Sequence, residues 1–351
     1  MRLILLILAV VLVATTVVPL VRTGAWWVRA FDFPRLQLAV AMLAVLGAYL
    51  VFYRRGDMLD VVLILALAAS FGYQVFRIYP YMPFAKTQAV AAHAQSVDTR
   101  VRLLIANVLM SNRNADDLIE LIRRYEPDVV LAVETDDWWG ERLAVLADEY
   151  PHRVEHPLPN TYGMHRFSRL ELVEPAVRKL IEDEVPSVHT GLRLRNGTVV
   201  DFYGVHPRPP RPGEDSDGRD AELLIVGREI KATGRPAIVA GDLNDVAWSH
   251  TTRLFQRISG TLDPRVGRGI FASFHAKIPL LRWPLDHVFF DESFALGRIE
   301  LLPAFGSDHF PVFAELYHQP AAEAEQEPPQ ANGEDREEAA DKIQEGREAH
   351  Q

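Results

Sequence analysis

The chain has 351 residues, with 37 basic and 47 acidic side chains and no cysteine. That length holds more than one domain and a sizeable core, and 48% hydrophobic with 9% aromatic content excludes a wholly disordered protein. The lack of cysteine excludes disulfides, thiolate zinc sites and cysteine nucleophiles. A formal net charge of −10 weighs against a general nucleic-acid binder.

The hydrophobic residues are unevenly distributed. Leu3 to Val21 is an uncharged apolar run of 19 residues, and Leu36 to Tyr53 is one of 18 in which Gln37 interrupts the pattern. Val61 to Phe76 is a third, of 16, which extends back to Met58 if Asp60 snorkels to the interface. About 20 helical residues cross a hydrocarbon core of roughly 30 Å. The sequence therefore predicts three transmembrane helices, about 3–21, 36–53 and 58–76, within a membrane region of residues 1–85. The first run is long for the apolar part of a signal peptide, and no clear small-residue cleavage site follows it. Trp26, Trp27, Phe31 and Phe33 between the first two runs are expected at headgroup level.

Three spans put the amino terminus and everything after residue 77 on opposite sides. Arg2, Arg54 and Arg55 lie on one side; Arg22, Arg29, Arg35, Arg77 and Lys86 lie on the other. Taken alone, that count favours a cytoplasmic main domain by a thin margin.

After a linker at 86–99 the pattern changes to strands alternating with amphipathic helices. Val101–Val108 and Asp128–Val133 read as buried strands. Asp116–Tyr125, capped by Asn114, and Trp138–Ala147 read as helices. Asn196-Gly197 marks a hairpin between Val188–Leu194 and Val199–Val205. Arg219–Thr233 is expected as a helix, and Pro236–Ala240, Leu285–Phe290, Arg298–Leu302 and Pro311–Leu316 as strands. This alternation predicts an α/β fold: a four-layer sandwich of two packed mixed sheets with outer helices, over 100–318. The Glu-, Ala- and Pro-rich tail at 319–351 is expected to be disordered and acidic.

Polar residues gather at the ends of these strands. Asn107 ends the first, Glu134 follows the second, and Gly241-Asp242-Leu243-Asn244-Asp245 follows Ile238-Val239-Ala240. Gly306-Ser307-Asp308-His309 precedes another strand, His206 follows Phe202–Val205, and Asp286-His287 opens Val288-Phe289-Phe290. Singly, each has an ordinary explanation as a turn or cap. Together they offer oxygen donors suited to a hard cation such as Mg²⁺ or Mn²⁺. They also offer histidines paired with carboxylates, and that combination is what metal-assisted phosphoester hydrolysis requires.

The order Asn107, Glu134, His206, Asp242-Leu243-Asn244, Asp286-His287, Ser307-Asp308-His309 resembles the endonuclease/exonuclease/phosphatase superfamily over roughly residues 100–317. That superfamily includes deoxyribonucleases, abasic-site endonucleases, sphingomyelinases and inositol-phosphate phosphatases. With its membrane prefix the chain is also similar to a bacterial subgroup that includes glycopeptide-resistance membrane proteins, which implies an outward-facing catalytic domain at the cell membrane. The resemblance implies Glu134 as the main metal ligand, with Asn107 and Asp308 completing or supporting the site. It implies Asp242 as the residue that orients or deprotonates water, and Asn244 as a phosphate-binding residue. His309, paired with Asp286, would be general base or transition-state stabiliser. His206 would bind phosphate or protonate the leaving oxygen.

Two departures stand out. His165 occupies a position where the family strand carries a small residue, and no long DNA-reading insertion is evident. His287 is expected to support packing; Arg268, Lys277, Arg282 and Trp283 are candidates for a substrate mouth or for solvated loop positions. The expected function is a membrane-anchored, Mg²⁺- or Mn²⁺-dependent phosphoesterase, with a lipid-linked phosphate favoured by location. A metal-dependent nuclease and a catalytically inactive interaction module are the alternatives. Residues 86–318 carry 27 basic and 34 acidic side chains, which disfavours DNA.

Overall fold

The computed structural model describes residues 2–52 and 57–350. Tyr53, at the end of the second apolar run, and Arg54 and Arg55, used in the charge count, lie outside the described residues.

The amino-terminal region holds α1 (Arg2–Val17), the short α2 (Trp26–Arg29), α3 (Arg35–Phe52) and α4 (Met58–Ile78). The stretches Arg2–Leu20, Arg35–Phe52 and Met58–Tyr81 are each long and apolar enough to cross a membrane. Leu5, Ala9, Leu12, Met42, Val45, Tyr49 and Leu67 pack where the three helices meet. Leu3, Ile7, Leu50, Leu65 and Phe76 point outward and exposed, as lipid-facing side chains do. Asp60 does not snorkel. It is buried in the first turn of α4, where it accepts the Asp57 backbone N–H at 3.2 Å and pairs with Arg2 at 2.9 Å. A carboxylate is favourable there because the first-turn N–H groups lack helical partners.

The remaining elements are β1 (Arg100–Asn107), α5 (Ala115–Tyr125), β2 (Val129–Val133), α6 (Asp137–Leu143), β3 (His152–His156), β4 (Met164–Ser168), β5 (Glu171–Lys179), β6 (Pro186–Arg193), β7 (Val199–Gly204), α7 (Asp217–Thr233), β8 (Ala237–Asp242), α8 (His250–Ser259), β9 (Asp286–Phe290), β10 (Phe294–Leu301), β11 (Val312–His318) and α9 (Gly333–Ala349). One sheet has the order β10-β11-β1-β2-β4-β3, the other β5-β6-β7-β8-β9. The pairs β1/β2 and β7/β8 are parallel and the other neighbours antiparallel, so both sheets are mixed. Helices α5 and α7 make the two parallel crossovers.

Alternation along each strand divides the apolar side chains between two cores. Leu103, Ile105, Leu131 and Val133 meet Val188, Phe202, Ile238 and Val288 between the sheets. Their neighbours Leu104, Ala106, Val130 and Ala132 face Leu118, Ile122 and Trp139 of the outer helices α5 and α6. Tyr203 and Val239 face Leu223, Val226 and Phe255 of α7 and α8. The result is the four-layer α/β sandwich expected from the sequence. Burying each such aliphatic or aromatic side chain contributes about 1.5–3 kcal/mol. The central strands are buried on both faces, and their ends are therefore firmly placed.

The tail departs from the expected disorder. Asn332 and Asp335 form a reciprocal cap that starts α9, and Ala339 and Ile343 pack against Leu224, Leu254 and Ile258. Lys342 reaches the buried Asp220 at 3.1 Å, and Arg257 grips Asp335 at 2.8 Å. Gly346 lies so close to α7 that a β-carbon there would come within 2.4 Å of the Ala221 methyl. Few large apolar residues are needed when a small-residue face approaches a neighbouring helix this closely, and Ala- and Glu-rich sequence is intrinsically helical.

Candidate active site

The carboxyl ends of β1, β2, β7 and β8 and the amino ends of β9 and β11 lie at one end of the sandwich. Asn107, Glu134, His206, Asp242, Asn244, Asp286, Asp308 and His309 lie at or just beside these strand ends. Asn107 is the last residue of β1, and its Nδ2 donates to both Glu134 Oε1 (2.9 Å) and Asp242 Oδ2 (3.0 Å). Its Oδ1 accepts the Leu109 N–H at 2.9 Å. Asn107 thus ties the two sheets together and holds two carboxylates apart. Its one carbonyl oxygen is partly engaged, so it supports an ion site better than it heads one.

Local backbone geometry sets this arrangement. Glu134 and Asn244 have positive φ, 63° and 50°, in the left-handed region that non-glycine residues rarely occupy. Gly241 has φ 147°, and a β-carbon there would lie 1.8 Å from the Val205 carbonyl oxygen. Only glycine lets β8 approach the end of β7 closely enough to bring Asp242 beside His206.

Asp242, Asp286 and His309 are buried and can bring one ligand atom each within 4.8 Å of one another. His309 Nδ1 bonds Asp286 Oδ2 at 2.7 Å, while its Nε2 lies 3.6 Å from Asp242 Oδ2. Burial works against the imidazolium, but Asp286 and Asp242 outweigh it and raise His309 to about 10. Burial pushes Asp242 above the usual carboxylate range, with His309 pulling the other way. His206 is buried with Nε2 3.9 Å from Asp242 Oδ2 and the Tyr162 ring centroid 5.7 Å from its own. Burial lowers its pKa, and its Nδ1 has no hydrogen-bond partner. Asp286 Oδ1 is likewise buried and unpartnered. Two orphaned buried polar atoms in one cleft are groups that a bound ligand or water can satisfy.

Asn244 stands at the rim. Its amide donates one hydrogen to the Pro207 carbonyl at 2.9 Å and keeps a second available. Asp308 is half-buried, with its backbone carbonyl accepting the Ala276 N–H at 2.7 Å.

Glu134 could also hold a cation. Burial raises its carboxyl, Asn107 and His309 lower it, and the negative charge of Asp308 raises it again. An oxygen-only donor set of Glu134, Asp308 and Asn107 fits a hard divalent ion, which would relieve that burial and repulsion. His309 fits less well as a ligand, because Asp286 occupies Nδ1.

Three neighbours fall outside the cleft. His287 bonds Arg265 at 2.6 Å and the Asp245 carbonyl at 2.9 Å, and burial holds it well below the usual histidine range. His165 bonds Thr135 Oγ1 at 2.7 Å beneath α6, and burial lowers it to about 4. Arg268 donates to the Ala89 carbonyl at 2.7 Å and to the Pro264 carbonyl at 3.2 Å. Sequence spacing did not single out Ser273, whose Oγ accepts the Asp286 N–H at 3.1 Å, or Phe274, whose ring lies 4.9 Å from His309. Neither belongs to a recognisable motif.

Residues 104–309, more than half of the chain, match the Endonuclease/Exonuclease/phosphatase family. The chain belongs to this family. Among solved structures it is similar to a humanized TDP2 from D. rerio, at 15% identity and TM-score 0.52 over 62% of this chain and 99% of that one. It is also similar to the endonuclease/exonuclease/phosphatase from Beutenbergia cavernae, at 18% identity and TM-score 0.52 over 63% and 72%. The human Nocturnin catalytic domain, at 16% identity and TM-score 0.52, covers 63% of this chain and 96% of its own length. No curated protein matches. Such low identities establish a shared fold. The endonuclease/exonuclease/phosphatase sandwich here is joined to three helices apolar enough to span a membrane, as in a membrane-anchored member.

Proposed function

We propose that the protein is a membrane-anchored phosphoesterase dependent on Mg²⁺ or Mn²⁺. The observation that carries this reading is the double hydrogen bond of Asn107, which sets Glu134 against Asp242 while Asp242 lies 3.6 Å from His309. This neighbourhood supports reading Glu134 as the metal-binding carboxylate and Asp242 as the water-activating one. Glu134, with Asp308 and Asn107, would hold the cation. When bound, that ion polarises a phosphoryl oxygen and offsets the charge of the site.

Asp242 orients the attacking water and is placed to take its proton. His309, oriented through Nδ1 by Asp286, directs Nε2 towards the reacting phosphate and stabilises its developing negative charge. His206 and the free amide hydrogen of Asn244 hold phosphate oxygens, and His206 can deliver a proton to the leaving oxygen. The catalytic domain is read as facing outward from the cell membrane, and a lipid-linked phosphate as the substrate class that anchoring favours.

The test is hydrolysis of bis-p-nitrophenyl phosphate and p-nitrophenyl phosphate by the full chain in detergent. Activity with Mg²⁺ or Mn²⁺ should disappear on chelation, and His309→Ala should lower it by about 10²–10⁴-fold. A single-stranded DNA oligonucleotide is expected to be a poor substrate, given 34 acidic against 27 basic side chains over 86–318. No hydrolysis of any phosphate ester with either metal would overturn the reading.

A further inference from the structure

Between β8 and β9 the chain makes a short hairpin that the chemistry above does not use. The Phe274 N–H donates to the Trp283 carbonyl at 3.0 Å, and the His275 N–H to the Leu281 carbonyl at 2.9 Å. Its base is fastened to the catalytic centre. Ala276 N–H binds the Asp308 carbonyl at 2.7 Å, Phe310 N–H binds the Ser273 carbonyl at 2.8 Å, and Phe274 lies against His309.

The tip, Ile278-Pro279-Leu280-Leu281, is apolar and open. Leu280 is 80% exposed, more than any other large hydrophobic side chain described beyond residue 84, and Leu281 and Ile278 are 45% and 42% exposed. Lys277 and Arg282 flank it.

The position of this tip separates it from an ordinary surface patch. Gln37, in the first turn of α3, donates Nε2 to the Leu280 carbonyl at 2.9 Å. Below it, Trp283 meets Phe33 edge to face at 5.7 Å. Trp248 donates its indole N–H to the Asp32 carbonyl at 2.8 Å. Ile78, Tyr81, Val246, Trp248 and Leu285 form one buried cluster that joins the end of α4 to the loops beside the active site. The hairpin is therefore fixed at the level where a membrane-spanning helix begins. Exposed leucines flanked by cations at that depth have the composition of an interfacial segment.

We propose that this hairpin tip inserts into the bilayer and that the site acts on phosphate esters of lipids held in the same leaflet. Insertion places the Phe274–His309 contact at headgroup level, where a lipid phosphate lies, and Lys277 and Arg282 meet the anionic headgroups. The substrate half of this inference rests on the phosphoesterase reading; the insertion half does not.

The cysteine-free chain makes the test direct. Leu280→Cys and, as reference, Val97→Cys each receive a bimane label in the full chain reconstituted into phosphatidylcholine vesicles. Val97 is 49% exposed in the turn just before β1, at the opposite end of the sheet from the site. The label at 280 should be quenched by doxyl-labelled lipid and shielded from iodide, and the label at 97 should behave the reverse way. Equal responses at both positions overturn insertion. In the second arm, the vesicles contain phosphatidic acid and p-nitrophenyl phosphate is supplied in solution. Leu280→Asp should lower the ratio of vesicle to soluble turnover about tenfold. An unchanged ratio, or soluble turnover alone in the parent chain, overturns the lipid substrate. Hydrolysis of neither ester by the parent chain counts against the phosphoesterase reading itself and removes the substrate half with it.

Discussion

At the scale of single residues, burial decides which titratable groups carry charge. In the cleft, carboxylates surround His309 and hold it as an imidazolium, whereas His165 and His287, buried without a carboxylate partner, are driven neutral. The motif resemblance separates these three side chains in the sequence; in the fold it is the companions supplied by other segments of the chain that do so. Glu222 on α7 follows the same rule outside the site. Burial raises it to about 8, Glu182 adds to the shift, and Arg178 opposes it. The folded chain therefore keeps this proton to a pH near 8, while the unfolded chain releases it near 4.5. Stability from this group is full below about pH 4.5 and declines as pH rises through 8. Glu222→Gln removes the decline. At pH 9 it should unfold at a higher temperature than the parent, by up to about 5 kcal/mol in stability. At pH 4.5 the two should melt together. A difference constant across that range in detergent-solubilised protein sinks the assignment.

At the scale of elements, the strands plainest in the sequence are central ones with unbroken apolar runs. Val129–Val133 and Ala237–Asp242 are wholly buried, and their unbroken apolar runs mark them. Of the four edge strands, β9 and the latter part of β10 were legible and β3 and β5 were not. β3 reads His-Arg-Val-Glu-His, and β5 contains Pro175 beside a break in register between Val173 and Ala176. α8 was missed because threonines and arginines dilute its stripe of Leu254, Phe255 and Ile258. Its signals were Ser249, which accepts the Thr252 N–H, and Gly260 after the last turn. The site was legible because its residues sit at the ends of the readable strands, whereas Ser273 and Phe274 lie on a loop with no periodic pattern. The tail shows the limit most clearly. Composition measures how much apolar surface a segment has, not whether a neighbour leaves a groove for it. Ile343 is 5% exposed against Leu224 and Ile258. Ile343→Ala should destabilise the catalytic domain by about 2 kcal/mol, read as a lower unfolding temperature. An unchanged melt would mean that α9 does not stay docked in solution.

At the scale of the whole molecule, the junction between membrane helices and sandwich bears on the charge count that favoured a cytoplasmic domain. Four of the five cations on the domain's side of the helices have structural partners. Arg22 pairs with Glu338 at 3.3 Å, Arg29 with Asp245 at 3.2 Å, Arg35 with Asp32 and with Gln74 at 3.0 Å, and Arg77 with the Trp248 carbonyl. Arg29 and Arg35 are buried, Arg29 against Asp245 of the domain and Arg35 among the amino-terminal helices, so packing accounts for their placement. Asp245, three residues beyond Asp242, also accepts from Ser249 and Thr252, and so links α2 to the loop that follows β8. Arginines retained for that contact are a weak record of membrane orientation, and the outward-facing reading loses its main opponent. It predicts that Val97→Cys, the only thiol in the variant chain, reacts with a membrane-impermeant maleimide in intact cells. For an outer-membrane-bearing cell, the outer layer is first made permeable. A cysteine at Asp57, the exposed N-cap just outside α4, is the control for the opposite face and should react only after the cells are broken. Labelling of position 97 only after lysis, with Asp57→Cys labelled before it, would place the catalytic domain in the cytoplasm and restore the arginine count as the better guide.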